Sequence, residues 1–287
     1  MSTEEQQEQA STYFVADRDH LEEMRRVEIQ DKMLTASMGG ALPELPDPTS
    51  LQHVLDVGCG TGCWLLELAT TYPTVKQLIG VDISPKMVAY ARAKAGGQGI
   101  NQRVEFRTMN ALQGLDFPTA SFDLINQRAG GSWLHARDWP PILLEYLRLT
   151  RSGGIVRIVE PSLNLQSNSP ALTKLWDLFR QAFANSGRLL TTRGDGIIDQ
   201  LDPLMSEYGL QNIQTRTVTP IYLAGTEPGQ HFYEDMLYLF RVLQPFFQQW
   251  ADVPSDYEET CQQAKEEMKQ PDFAALWPVF TAWGTKG

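Results

Sequence analysis

In the middle of the chain, two patterns of hydrophobic and polar residues follow each other in turn. Short apolar runs, which are typical of buried strands, are separated by segments with apolar residues at helical spacing. The runs that predict strands cover residues 53–57, 77–82, 104–109, 122–126 and 155–160. Strands that alternate with helices form a mainly parallel sheet with both faces covered. The pattern therefore predicts a doubly wound α/β fold.

The segment before this core predicts a helix followed by a linker. Between residues 17 and 38, apolar residues recur at helical spacing among many charged positions. Prolines at positions 43, 46 and 48 then interrupt the chain before the first strand. We interpret residues 1–50 as a polar N-terminal tail and a helical cap.

The last third of the chain predicts more helices and a further strand. Residues 168–184 and 197–208 have helical periodicity, whereas residues 211–219 alternate as a strand does. Residues of about 229–270 then predict a helical insertion that is rich in aromatic side chains. Such an insertion fits a lid over a site for an apolar ligand. It fits a core or the interface of a homodimer equally well.

A glycine-rich turn follows the first predicted strand. The segment VLDVGCGTG occupies residues 54–62, and glycines such as Gly58 and Gly60 allow a ligand to approach the backbone closely. Asp82 ends the next apolar strand, about twenty positions later, where an acid can accept both hydroxyl groups of a ribose. These residues indicate a nucleotide-like cofactor at the end of a strand.

Two classes of cofactor use this geometry, and the details of the loop favour one of them. The dinucleotide pattern has a glycine at its sixth position, where this chain has Cys63. Asp56 also lies two positions before the first glycine, and a carboxylate there suits a cationic amino acid tail better than a pyrophosphate. The loop thus favours S-adenosylmethionine, with a nicotinamide-dependent oxidoreductase as the weaker rival.

Residues 51–161 resemble the core of the class I S-adenosylmethionine-dependent methyltransferases. Five motifs follow that family's order, and they lie at residues 54–62, 80–84, 107–111, 121–126 and 143–154. The resemblance implies a Rossmann-like, mainly parallel sheet of seven strands, with methyl transfer as the reaction and S-adenosylmethionine as the cofactor. Residues 162–287 would complete the sheet and supply the helical lid, with residues 277–284 as the final antiparallel strand.

The resemblance also implies roles for individual residues. Asn110 stands where the family usually has an acid that recognises the adenine amino group, and an amide oxygen can still accept that hydrogen bond. Met87 either lies against the adenine or belongs to the core, while Tyr13 and Gln30 resemble cap positions that reach the methionine end. The predicted cofactor-binding residues are Tyr13, Asp56, Gly58, Gly60, Asp82, Ile83, Met87, Asn110, Ala111 and Asn126.

Methyl transfer needs few catalytic groups, because the methyl carbon is already activated and the protein mainly aligns the reactants. An oxygen acceptor would also need a base. His135 is the predicted catalytic base, since residues 128–139 follow the fourth strand and should border the pocket. Glu160, at the end of the fifth strand, either binds an acceptor amine or caps the next segment.

Composition narrows the class of acceptor and partner. A net charge of −11 argues against nucleic acid, which requires a basic face. No apolar stretch reaches membrane-spanning length, and three cysteines and four histidines lack the spacing of a metal site. We expect a cytoplasmic enzyme that methylates a small, hydrophobic or aromatic metabolite. The alternative is a protein that binds S-adenosylmethionine without transferring its methyl group, as a regulatory module or in a cofactor-assisted rearrangement.

Overall fold

A sheet of seven strands lies at the centre of the computed structural model, which describes residues 12–15, 21–191 and 194–287. The strands of the described residues are β1 (His53–Val57), β2 (Gln77–Asp82), β3 (Val104–Thr108), β4 (Phe122–Arg128), β5 (Thr150–Pro161), β6 (Gln166–Ser167), β7 (Leu210–Val218), β8 (Ile221–Leu223), β9 (Ala274–Leu276) and β10 (Val279–Lys286). The large sheet has the order β3-β2-β1-β4-β5-β10-β7. Strands β1 to β5 are parallel, whereas β10 runs antiparallel to both β5 and β7.

Helices cover the sheet and extend the chain beyond it. The α-helices of the described residues are α1 (Leu21–Met38), α2 (Cys63–Thr71), α3 (Pro85–Gly97), α4 (Trp139–Leu149), α5 (Pro170–Asn185), α6 (Ile198–Glu207), α7 (Glu227–Val242), α8 (Gln244–Trp250) and α9 (Tyr257–Glu267). Local sequence explains where several of them begin. Ser84 precedes Pro85, and its hydroxyl accepts a hydrogen bond from the Met87 amide at 3.1 Å. Serine at the cap and proline in the first turn both favour a helix start.

The predicted fold class is confirmed, with two differences in detail. Strand β5 begins at Thr150, five positions before the predicted start, and continues through Gly153, which has a φ of +73°. Helix α4 ends at Leu149, directly before this strand. The small sheet β6-β9-β8 was not predicted. Its strands have two or three residues, which is too short for an alternating pattern to show.

The N-terminal cap is a helix, as predicted, over the part that the structure describes. Helix α1 begins at Leu21, and the predicted residues 17–20 lie outside the described residues. Helix α1 packs against α7, the first helix of the aromatic insertion. In that insertion Phe232, Phe240, Phe246 and Phe247 are buried, so these rings form a core that supports the cap.

The turn between β1 and α2 requires glycine at its last position. Gly62 has a φ of +73°, and a Cβ there would lie 2.5 Å from Phe106 Cζ and 2.9 Å from Ala91 Cβ. We expect Gly62→Ala to lower the free energy of unfolding by about 2–4 kcal/mol, because left-handed backbone strain adds to overpacking. Urea denaturation measures this change. Gly96→Ala is the control, because nothing lies within 4 Å of its Cβ position. Equal midpoints for the two variants would contradict the expectation.

Candidate functional site

A cavity of about 220 Å³ lies beyond the carboxyl ends of the central strands. Strand β1 has β2 on one side and β4 on the other, so the direction of chain progression reverses here. Ligands of open parallel sheets bind at such reversal points. The cavity is lined by residues that follow β1, β2, β4 and β5, together with residues of the segment 12–14, α1 and α5.

Two glycines at the end of β1 leave the cavity wall without side chains. Gly58 and Gly60 both line the cavity, with φ values of +71° and +50°. A Cβ at Gly58 would lie 3.1 Å from Trp133 Nε1, and a Cβ at Gly60 would lie 3.3 Å from Val27 Cγ1. Because side chains there would crowd this wall, the glycines fit a loop that a cofactor approaches closely.

Asp82 is held at the cavity wall by two backbone amides, one from the glycine loop and one from the start of α3. Its Oδ2 accepts a hydrogen bond from the Gly60 amide at 2.9 Å, and its Oδ1 accepts one from the Ser84 amide at 2.8 Å. Each oxygen of a carboxylate can accept more than one hydrogen bond. The arrangement therefore fits a carboxylate that holds ribose hydroxyl groups.

Apolar side chains and one amide continue the wall beyond Asp82. Ile83, Met87, Asn110 and Ala111 all line the cavity, as the sequence predicts for an adenine pocket. Met87 is also 4 % exposed, so it is a buried residue that lines the cavity, and its contact with adenine stays a prediction. The Asn110 Oδ1 accepts a hydrogen bond from the Leu112 amide at 3.0 Å, which caps a short 3₁₀ turn.

Asp56 and Asn126 lie below the cavity and are not among the residues that line it. Asn126 Nδ2 donates to Asp56 Oδ1 at 2.7 Å, and its Oδ1 accepts from Arg157 Nη1 at 2.7 Å. Arg157 in turn donates to Glu44 Oε1 at 2.7 Å. Burial raises the pKa of Asp56 to about 7. Both residues lie inside their strands rather than at the strand ends. They are directly paired neighbours, Asp56 on β1 and Asn126 on β4.

The predicted base His135 also lies outside the lining of the cavity. It precedes a short 3₁₀ turn at Ala136–Asp138, where its amide donates to Asp138 Oδ2 at 2.9 Å. Its Nδ1 is 3.2 Å from the same carboxylate oxygen. The Asp138 carboxylate thus holds both the amide and the ring of His135 in a local turn, and the absence of His135 from the cavity lining corrects the prediction that it borders the pocket.

The cap contributes a buried polar cluster that closes one side of the cavity. Tyr13, Arg26 and Gln30 line it. Arg26 donates to Glu23 Oε2 at 2.8 Å and to Asp235 Oδ1 at 3.1 Å, and Gln30 donates to Asp235 Oδ2 at 3.2 Å. Sequence reasoning missed Arg26. Its i,i+3 pairing with Glu23 was visible, but the partner on α7 is 209 positions away.

Aromatic rings form the wall on the α5 side. Trp176, Phe179, Phe183 and Trp277 line the cavity, whereas Leu239 is the residue of α7 that does so. Trp176 Nε1 donates to the Leu163 carbonyl and Trp277 Nε1 to the Ser162 carbonyl, each at 2.8 Å. Since the polar atoms of both indoles have backbone partners, the rings offer apolar surface to a ligand.

Glu160 places a carboxyl group on this apolar wall. It is 3 % exposed and lines the cavity. Its Oε1 accepts a hydrogen bond from the Gly130 amide at 2.6 Å, and its Oε2 accepts one from the Gly131 amide at 3.2 Å. Burial raises the pKa of Glu160 to about 8, although the two amide donors act in the opposite direction.

The described residues offer neither a metal centre nor a helix that could span a membrane. Within the ranges 12–15, 21–191 and 194–287, no group of three or more His, Cys, Asp or Glu residues is arranged to hold a metal ion. Among the helices of the same ranges, none is both long and apolar enough to cross a membrane.

Comparison with known proteins agrees with this geometry. Residues 54–154 match a family model described as a methyltransferase domain. The demethylmenaquinone methyltransferase of Lactiplantibacillus plantarum is 30% identical over 174 residues, which cover 56% of this chain and 71% of that protein. The O-methyltransferase resE of Aspergillus sclerotiorum is 30% identical over 165 residues, which cover 57% of this chain and 59% of that protein.

Solved structures show the same fold at low sequence identity. A phosphoethanolamine N-methyltransferase 2 of Haemonchus contortus has a TM-score of 0.59 at 17% identity, covering 97% of this chain and 61% of that chain. The YcgJ protein of Bacillus subtilis has a TM-score of 0.51 at 20% identity, covering 91% of this chain and 99% of that chain. With the identity to the Lactiplantibacillus enzyme, these observations show that the chain belongs to the class I S-adenosylmethionine-dependent methyltransferases, with S-adenosylmethionine as its cofactor.

Proposed function

We propose that this methyltransferase acts on a small, hydrophobic or aromatic metabolite. The wall formed by Trp176, Phe179, Phe183 and Trp277 carries the proposal. Aromatic rings whose polar atoms are already bonded offer flat apolar surface, against which a planar apolar body packs.

The cofactor is proposed to lie along the part of the cavity built from β1, β2 and the segment after β3. In this arrangement Asp82 accepts hydrogen bonds from the ribose, and Ile83, Met87, Asn110 and Ala111 surround the adenine. Gly58 and Gly60 let the amino acid portion approach the backbone, and Tyr13 contacts it from the cap. Asp56 and Asn126 act from below, by fixing the end of β1 on which the glycine loop rests.

The reaction asks little more of the protein than alignment. Bound S-adenosylmethionine supplies a methyl carbon that is activated by its sulfonium. The aromatic wall would hold the acceptor in line with that carbon, and the cap and insertion would keep water out. Tyr13 and Arg26 from the cap side and Leu239 from α7 line the cavity where such a closure is needed.

The names of several relatives support a small-molecule acceptor. The relatives include a demethylmenaquinone methyltransferase, an ajmaline N-methyltransferase from Rauvolfia serpentina and an aklanonic acid methyltransferase from Streptomyces. The last two are 32% and 30% identical over 118 and 124 residues, so they inform the acceptor less than the cavity wall does.

A screen for S-adenosylhomocysteine formation tests the proposal. The panel contains planar aromatic compounds with hydroxyl, amine or activated carbon nucleophiles, and ethanolamine as a polar control. We expect turnover with planar compounds and none with ethanolamine. In Phe179→Leu, which keeps an apolar side chain but removes the ring, we expect KM for planar acceptors to rise about 2- to 10-fold.

The same assay separates the proposal from the alternative of binding without methyl transfer. Calorimetry on the same protein preparation measures S-adenosylmethionine affinity. Tight binding with no product from any panel member would favour the alternative. Turnover with ethanolamine alone would contradict the assignment of an apolar acceptor.

A further inference from the structure

A carboxyl group and the aromatic wall meet at one glycine of the cavity. A Cβ at Gly131 would lie 3.4 Å from Glu160 Oε2, 3.2 Å from Phe183 Cζ and 2.6 Å from Ile197 Cδ1. All four residues line the cavity. An acceptor that lies on the aromatic wall therefore has the carboxyl group of Glu160 beside it.

Glu160 keeps the capacity to bind such an acceptor. Each of its oxygens accepts one backbone hydrogen bond, from Gly130 and Gly131, and the Gln127 side chain is a third partner. Because each carboxylate oxygen has about two acceptor sites, one site is left for an acceptor. The two amides also fix the orientation of the group, because they lie in consecutive residues of one turn.

Asp195 is another acid in the wall, but its structural partners explain its position. Its carboxylate accepts hydrogen bonds from the Ser162 hydroxyl, from the Leu163 amide at 3.2 Å and from Asn164 Nδ2 at 2.9 Å. These bonds tie the segment before α6 to the end of β5. Glu160 instead receives its backbone hydrogen bonds from the turn that borders the cavity.

We infer that Glu160 is the catalytic base, and that it accepts the proton of a hydroxyl group on a planar, phenol-like acceptor. This inference rests on the proposed function and assigns the nucleophile within it. As the bond between the acceptor oxygen and the methyl carbon forms, the carbon–sulfur bond breaks and its electron pair stays on sulfur. The hydroxyl proton passes to a carboxylate oxygen of Glu160, from which it leaves to solvent after product release.

A hydroxyl acceptor explains the need for a base better than an amine does. A neutral amine attacks with its lone pair and can lose its proton afterwards. A phenol is a weak nucleophile until its proton leaves, and its ordinary pKa is about 10, as in tyrosine. A base whose pKa of about 8 lies close to that of the phenol transfers the proton efficiently.

The groups around Glu160 set the pH range of this step. Asp195 raises the pKa of Glu160 further, and Tyr146 on α4 lies close enough to respond to its charge. Arg188 donates a hydrogen bond to the Gly131 carbonyl at 3.4 Å, in the turn that holds the Glu160 carboxylate. On the neighbouring strand β10, the residue paired with Glu160 is the apolar Phe280. The base is active when deprotonated, so kcat with a phenol should rise with pH up to about 8.

Three acceptors that share the naphthalene ring test the inference, each assayed with wild type and with Glu160→Gln. They are 1-naphthol, 4-nitro-1-naphthol and 1-naphthylamine, and the methylated products are measured by mass spectrometry between about pH 6 and pH 9. With 1-naphthol we expect kcat of Glu160→Gln to be at least about 100-fold lower than that of wild type. We also expect that kcat of the variant no longer rises with pH. With 4-nitro-1-naphthol, which is already ionised, we expect the variant to stay within about 3-fold of wild type.

The nitro compound separates a chemical role from a structural one. Glutamine would place an amide group against one of the two glycine amides and can disturb the turn, which would slow both naphthols equally. Equal losses with both naphthols would therefore overturn the inference. Glu105→Gln is the control for charge, because that side chain is exposed on β3, and its rates should match wild type.

The remaining outcomes distinguish the inference from the proposed function. Product from 1-naphthylamine but from neither naphthol would overturn the hydroxyl assignment and leave the aromatic acceptor standing. Binding of S-adenosylmethionine with no product from any of the three compounds would also overturn the inference. Turnover elsewhere in the wider panel would then decide whether the proposed function stands.

Discussion

Replacing Asp82 with alanine is expected to weaken S-adenosylmethionine binding by about 10- to 150-fold, equivalent to about 1.5–3 kcal/mol. The carboxylate lies at the cavity wall, where it can accept hydrogen bonds from both ribose hydroxyls. The same carboxylate accepts bonds from the Gly60 and Ser84 amides, so alanine also removes the link between the glycine loop and β2. Calorimetry on wild type and variant measures the change.

Two controls separate ligand contact from loop organisation. Asp82→Asn keeps the size of the side chain and one acceptor oxygen, and we expect it to bind with an affinity between those of wild type and Asp82→Ala. Asp116→Ala removes an exposed acid near the end of β3 and should bind as wild type does. Binding by Asp82→Ala within about 3-fold of wild type would contradict the assignment of Asp82 to the ribose.

Local patterns predict the core strands and the glycine loop at the proposed cofactor end of the site. A buried strand must be apolar and a ligand-binding turn must contain glycine, so β1, β2 and the loop at Gly58 are marked in the sequence itself. Asp82 follows the same logic, because it is the last residue of β2. A side chain at that position borders whatever lies beyond the sheet.

Side chains one or two positions inside a strand are harder to place from sequence. Asp56 precedes the last residue of β1, and Asn126 lies two positions before the end of β4. Depth along the strand separates cavity wall from core here, because Arg128, two positions after Asn126 and on the same face of β4, lines the cavity. Here the deciding partner is Arg157 on β5, which binds Asn126. A partner 31 positions away is set by the strand register, which the sequence pattern does not specify.

The aromatic wall and the cap cluster are products of tertiary packing. Trp176 and Trp277 come from α5 and from the segment before β10, yet their ring centroids are 5.5 Å apart. The aromatic insertion was the stronger signal in the sequence, but its rings pack into a core and Leu239 is its contribution to the cavity. Aromatic spacing indicates a buried face without indicating which element covers it.

Replacing Arg26 of the cap cluster with methionine is expected to destabilise the folded protein. Methionine keeps an apolar stem of similar length and removes the charge, so Glu23 and Asp235 lose a partner they share. Both carboxyl groups are fully buried. We expect the free energy of unfolding at pH 8 to fall by about 3–5 kcal/mol, because breaking a buried ion pair leaves an uncompensated charge. Urea denaturation of wild type and variant measures the loss.

The loss should depend on pH in a defined direction. Burial raises the pKa of Asp235 from 3.8 to about 6 in the folded protein, so between these values the folded state binds more protons than the unfolded state. Asp235 therefore lowers stability as pH rises through this window. Without Arg26 the pKa of Asp235 rises further, and the penalty should shrink when the pH falls from 8 toward 5, as the buried carboxyl takes up a proton. An equal loss at both pH values would contradict a charge-based cause.

A second variant tests whether the cluster serves binding as well as stability. In Glu23→Gln/Arg26→Met/Asp235→Asn no charge is left unpaired in the cluster, and replacing a whole buried ion network is often neutral for stability. We expect this variant to recover most of the lost stability. Its affinity for S-adenosylmethionine should stay below that of wild type, because Tyr13 loses the hydrogen bond from Arg26 and keeps only a neutral acceptor at position 23 to hold it at the cavity. Full recovery of both properties would show that the cluster acts through folding alone and that Tyr13 needs no such support.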